Sequence, residues 1–185
     1  DVIVGGISIV ENEKRWGNNL RYRYEHSSKE AISAENRRKT PYQHLSTNFI
    51  AHRKLIGTNP YNEDIKQYGF EDVLLGKRFK ALNAKINHIN NPVLFNDFEL
   101  NAVFLCKTEE ALRTLSIFQT ELKGYSNLLK ITGKLQKMHI SWIGVWLYKF
   151  LHKPLKHNLK GNNPSVFLFN IYKLLYFLHY NSIRK

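Results

Sequence analysis

Residues Tyr68-Gly69-Phe70-Glu71-Asp72 set two adjacent carboxylates directly behind a glycine and an aromatic. Such a pair can do acid–base work, one carboxylate taking a proton from a hydroxyl while its neighbour orients that hydroxyl. The same residues also suit the first turn of a helix, where carboxylates complement exposed N–H groups and the helix dipole; on spacing alone this is the commoner explanation. Other residues of chemical interest are more scattered. Arg37 and Arg38 could reach a diphosphate, since guanidinium groups pair with phosphate through two bonds, or could form a solvated charge run. His88 could lie beside a phosphate or an acceptor, and it reads equally as a strand-end residue that hydrogen-bonds locally. Gly5-Gly6 is too short to cradle a phosphate and reads as a turn, and Cys106 as packing.

The elements that must position these residues are mixed α/β. Residues 2–10 have the apolar, β-branched density of a strand, and residues 45–51 are a second candidate. Between them, residues 11–42 are polar and weakly periodic, a long loop or a loose helix. Leu75, Phe79 and Leu82 share one face at helical spacing, which predicts a helix over 71–82 with Glu71 and Asp72 at its start. Residues 85–89 follow as a short strand and Asn90-Asn91-Pro92 as a turn. A further helix is expected from Thr108 to about Lys123, with Glu109 and Glu110 in its first turn.

Read in order, several strings resemble the second half of bacterial family 2 glycosyltransferases, which have the GT-A fold. They are Val4-Gly5-Gly6, Leu20-Arg21, Arg37 followed by Pro41-Tyr42, Asn48-Phe49-Ile50-Ala51 and Asn62 through Gly76 with its Tyr-Gly-aromatic-Glu-Asp core. His88-Ile89-Asn90-Asn91-Pro92-Val93 and Phe104-Leu105-Cys106-Lys107-Thr108 complete the series. Each is weak alone; their shared order over about residues 2 to 115 is specific.

The resemblance implies the C-terminal, acceptor-side half of a nucleotide-diphospho-sugar transferase domain. In it Asp72 would be the general base and Glu71 the acceptor clamp, with Tyr68, Gly69, Asn48, Arg37 and His88 on the substrate side. It further implies an inverting transfer from a nucleotide-diphosphate sugar to a glycan or lipid-linked glycan in surface polysaccharide synthesis, with Mn or Mg on the donor. A helix dipole lowers the pKa of carboxylates at its start, so local burial or the acceptor must offset it for Asp72 to serve as a base. A non-catalytic module that keeps the fold and binds a glycan or a membrane surface is the alternative. Two departures stand out. There is no Asp-x-Asp triplet for the donor's metal, and Phe95 stands where the family commonly has a histidine; Asp97 and Glu99 lie nearby at unmatched positions. No metal ligand is identified. The opening strand Asp1-Val2-Ile3-Val4, with nothing before it, leads to the expectation of a donor-binding half encoded upstream and of a fragment inactive alone.

The charge divides the chain. Through Glu121 there are 17 Lys and Arg against 15 Asp and Glu; from Leu122 onward there are 11 and no carboxylate. A boundary is therefore drawn between a domain of residues 1–123 and a basic, aromatic helical tail of 124–185. The tail has apolar segments at 142–151 and 166–180, joined by a basic connector at 153–164, and both fall short of the roughly 20 residues that span a bilayer. Two helices packed on the protein, or a peripheral anchor on an anionic membrane, both fit. Nucleic acid is disfavoured because no motif supports it. With lipid-linked acceptors, the expected place is cytoplasmic, on the inner face of the cytoplasmic membrane. A single cysteine excludes an internal disulfide and a thiolate zinc cluster.

Overall fold

The structure is a computed structural model that describes residues 1–45 and 48–184. In chain order the elements are β1 (Val2–Val4), β2 (Ile7–Ile9), α1 (Glu13–Trp16), α2 (Leu20–Ser27), α3 (Ala34–Lys39), β3 (Phe49–Ala51) and α4 (Arg53–Ile56). They continue with α5 (Glu71–Ala81), β4 (Ile86–His88), β5 (Val93–Phe95), α6 (Asn101–Ile117), α7 (Asn127–Lys137), α8 (Ser141–Lys160) and α9 (Val166–Ile183). The chain forms two compact units, one of residues 1–13, 24–66 and 70–97, the other of 14–23, 67–69 and 98–185.

The first unit is mixed α/β. Strand β1 is central in a three-stranded sheet, antiparallel to β3 and parallel to β4. Its side chains alternate as a pleat requires: Val2 and Val4 are buried, while Ile3 is exposed. On the buried face Val2 and Val4 join Leu45, Ala84 and the Leu75 and Phe79 face of α5 in one core. The apolar run of residues 2–10 is not one strand. It breaks at Gly5-Gly6, and β2 leaves the first sheet to pair in parallel with β5. The break has a backbone cause: Gly6 has a φ of 85°, a conformation side chains disfavour. Residues 11–42, expected as loop or loose helix, hold three short helices, and α3 is closed at its start by Ser33 Oγ accepting from the Asn36 N–H. The strand expected over 45–51 is formed at Phe49–Ala51; residues 46–47 of that span lie outside the described residues.

The second unit is a helical assembly. Helices α8 and α9 pack against each other along their lengths and both pack against α6, with α7 in lighter contact with α8 and α9. Gly144 lets α8 approach closely, since a Cβ there would meet Leu178 of α9. Ser126 and Ser165 cap α7 and α9 through their hydroxyls. Helix α6 starts at Asn101, seven residues before the position expected, and belongs with the tail helices rather than on the other side of a boundary at 124. Its start is held from residues 14–23: the Leu20 N–H donates to Asn101 Oδ1, Asn19 Nδ2 donates to the Glu99 carbonyl, and Arg21 pairs with Glu99 at 2.6 Å. The expected connector at 153–164 is also largely helix. Pro154 removes one backbone donor, yet α8 continues to Lys160 because Leu155 and Leu159 are buried beyond it.

Candidate active site

Helix α5 opens at Glu71, so the carboxylate pair does occupy a helix's first turn. The residue before it is unusual. Phe70 is the N-cap and takes a left-handed conformation, φ 69° and ψ 5°, with no side-chain cap. A bulky residue with positive φ is an outlier, and such strain concentrates at functional sites. The strained turn fixes the direction in which the next two side chains leave the backbone.

Those side chains have different surroundings. Glu71 is half-buried, and its Oε2 is buried without a hydrogen-bond partner. A buried carboxylate oxygen left in this way is costly. Asp72 is exposed by surface area, yet the protein packed around its carboxyl removes enough water to push its pKa from 3.8 up to about 6. Desolvation is the main cause; the neighbouring Glu71 charge adds to it, and the Val73 N–H, donating to Asp72 Oδ1 at 2.8 Å, works against it. Desolvation outweighs the helix terminus.

Tyr68 and Gly69 are set by α6. The Tyr68 N–H donates to Glu110 Oε1 at 3.0 Å and its carbonyl accepts from Thr114 Oγ1 at 3.0 Å. Gly69 has a φ of 106°, and a Cβ there would lie 2.7 Å from the Ala111 Cβ. Its glycine is thus explained by close approach to the helix. The Tyr68 ring is exposed, with Lys107 Nζ 5.9 Å from its centroid.

Arg37, Asn48 and His88 gather at the Gly5-Gly6 break. Arg37 is 4% exposed, and its Nη2 donates to the carbonyls of Gly5 and Ile89, each at 3.0 Å. Its Nε and Nη1 are buried without partners, and burial, then the Arg38 charge, lowers its pKa. Asn48 Nδ2 donates to the carbonyls of Gly6 and Asn91, each at 2.9 Å. Both glycines are required here, because a Cβ at Gly5 would meet Asn48 and one at Gly6 would meet the Arg37 guanidinium. His88 is fully buried; its Nε2 lies 2.9 Å from the Pro41 carbonyl, so this nitrogen carries the proton and Nδ1 faces no partner. Burial lowers the pKa of the ring, and Arg38 Nε donates to the His88 carbonyl. The three residues brace the loops that follow β1 and β4.

Sequence patterns gave no sign of His44, which shares this cluster; burial, then the charges of His88 and Arg37, lowers its pKa. The strain at Phe70 was equally silent, since an aromatic before an acidic first turn has no fixed backbone state. For the expected divalent cation, no group of three or more His, Cys, Asp or Glu suited to a metal occurs among the described residues. Glu99 is held by Arg21 and Lys107, and Phe95 pairs with Ile9 in β5. Among the described residues the donor set does not fit Mn or Mg.

The chain matches no family model, no curated protein and no solved structure.

Proposed function

We propose that this chain carries the acceptor-activating side of an inverting, hexosyltransferase-type glycosyltransferase that uses a nucleotide-diphosphate sugar and a glycan or lipid-linked glycan acceptor. The observation that carries the reading is the Asp72 carboxyl, pushed up to about 6 beside a Glu71 oxygen that is buried and unpartnered. A base is most useful when its pKa lies near the working pH, and Glu71 supplies a second carboxylate directly beside it. The ordered motifs from Val4 to Thr108 support the same assignment.

In this scheme Glu71 accepts a hydrogen bond from the acceptor sugar and fixes its angle of approach. Asp72 takes the proton of the attacking hydroxyl as its oxygen bonds to the anomeric carbon. The bond from that carbon to the nucleoside diphosphate breaks on the opposite side, which inverts the configuration. Holding two sugars in line supplies much of the rate. We place the reaction on the inner face of the cytoplasmic membrane, where lipid-linked acceptors are found. Among the described residues no helix is long and apolar enough to cross a membrane, and a peripheral position agrees with the cationic segment from Leu122 onward.

The test follows nucleotide release across a panel of nucleotide-diphosphate sugars and acceptors. Asp72→Asn is expected to lower kcat by about a hundredfold or more with little change in acceptor KM, and Glu71→Gln to raise acceptor KM. Wild-type kcat/KM should fall as pH drops below about 6. Undiminished transfer by Asp72→Asn would remove the base assignment. Acceptor binding without any transfer by wild type would make the chain a binding module instead.

A further inference from the structure

Helix α8 has two unlike sides. Gly144, Leu155 and Leu159 are buried within the helical unit. On the other side Trp142, Trp146 and Phe150 follow one another at four-residue steps and are 65%, 53% and 62% exposed. Side chains four apart lie above one another on a helix, so the three rings make a row about 12 Å long; the last two have centroids 4.8 Å apart. Ile143, also exposed, lies beside the row. Lys149, Lys153 and Lys160, all exposed, fall on the same side by helical spacing from Trp142. Beside the row lies a groove of about 400 Å³, lined in part by Gln136, Ser141, Trp142, Trp146, Lys149 and Asn181.

Single exposed aromatics are ordinary, but a contiguous row marks an interaction surface. Its chemistry selects the partner. Trp and Phe side by side with Lys on one helix face suit a surface that is apolar within and anionic at its boundary, and tryptophan rings favour the headgroup level of a bilayer. No carboxylate occurs from Leu122 onward to repel anionic lipid. A helix too polar to cross a membrane, with this segregation, is suited to lie in the interface plane.

We propose that this side of α8 docks on an anionic phospholipid bilayer. Trp142, Trp146 and Phe150 enter the headgroup layer, Lys149, Lys153 and Lys160 meet lipid phosphates, and one headgroup seats in the adjoining groove. The proposal rests on the membrane placement above and is independent of the transfer chemistry.

Flotation of the full chain with phosphatidylcholine vesicles, with and without phosphatidylglycerol, tests it. Wild type should float with anionic vesicles and not with neutral ones, and added salt should weaken the association. Two triple variants, Trp142→Ser with Trp146→Ser and Phe150→Ser, and Lys149→Gln with Lys153→Gln and Lys160→Gln, should each partition about tenfold more weakly or worse. The substituted side chains are exposed, so circular dichroism and Tm should match wild type. Equal flotation of wild type and both variants would overturn the assignment of this face while leaving the membrane placement standing. No flotation of wild type would remove both, and neither result touches the Asp72 assay. Dimerisation without lipid that the aromatic variant abolishes would give the face to a second copy. Displacement from vesicles by single-stranded nucleic acid would give it to that ligand.

Discussion

Asp72 binds its proton more tightly in the folded chain than in the unfolded one, because packing around the carboxyl disfavours its charge. Its pKa rises from an ordinary 3.8 to about 6 in the fold. Ionising it therefore costs stability: the penalty is absent below the lower value, grows between the two, and is complete above the higher one. Unscreened, such a shift corresponds to about 3 kcal/mol. Asp72 is exposed by area, and solvent screening reduces the expected effect to about 1 kcal/mol. Asp72→Asn should accordingly be more stable than wild type at pH 7 to 8, and the gap should close as pH falls toward 4, as read by urea unfolding at each pH. A residue kept at a cost to stability, next to a left-handed Phe70, fits a site held for chemistry. An Asp72→Asn variant of unchanged stability across this range would show that the carboxyl is solvated like an ordinary surface aspartate.

The elements show where sequence periodicity is informative. Helix α5 was legible because Leu75 and Phe79 bury one face while acids open its first turn. Strand β1 was legible through Val2 and Val4, but its end was not, since Gly5-Gly6 reads as any turn and only Arg37 and Asn48, distant in sequence, explain it. The start of α6 was hidden for a similar reason: its first residues are fixed by Asn19, Leu20 and Arg21 from elsewhere in the chain. Glu109 and Glu110 thus lie mid-helix rather than in a first turn. Glu109 accepts from the Tyr172 hydroxyl at 2.5 Å and pairs with Lys156 at 2.8 Å, joining α6 to α9 and α8. Removing it takes the carboxylate partner from the fully buried Tyr172 hydroxyl, leaving Tyr148 as its neighbour, and frees the Lys156 charge. Glu109→Ala should destabilise the helical unit by about 2–3 kcal/mol. Lys156→Met, whose partner keeps the tyrosine bond, should cost about 1 kcal/mol or less. Hydrogen exchange across α8 and α9 measures both, and equal effects of the two substitutions would contradict the ranking.

Across the whole molecule, charge and burial follow different divisions. Carboxylates stop at Glu121, but the helical unit also takes in α6 and residues 14–23, so its anions come from outside the cationic stretch. Glu99 and Glu109 show the arrangement, each pairing with cations at 2.6 to 3.2 Å across part-buried contacts. Salt acts on these two populations unequally. Repulsion among exposed lysines on α7 and α8 extends over distances comparable with the Debye length, about 10 Å at 0.1 M salt, and is readily screened. The close, part-buried pairs are screened much less. With eleven cations and no anion from Leu122 onward, repulsion outweighs attraction along this stretch. Raising sodium chloride should therefore increase the hydrogen-exchange protection of α8 and α9, whereas the same salt should weaken attachment to anionic vesicles. Opposite salt responses in one chain would separate self-repulsion from lipid attraction. Lower protection of α8 and α9 in high salt would instead show that the Glu99 and Glu109 pairs dominate the electrostatics of the helical unit.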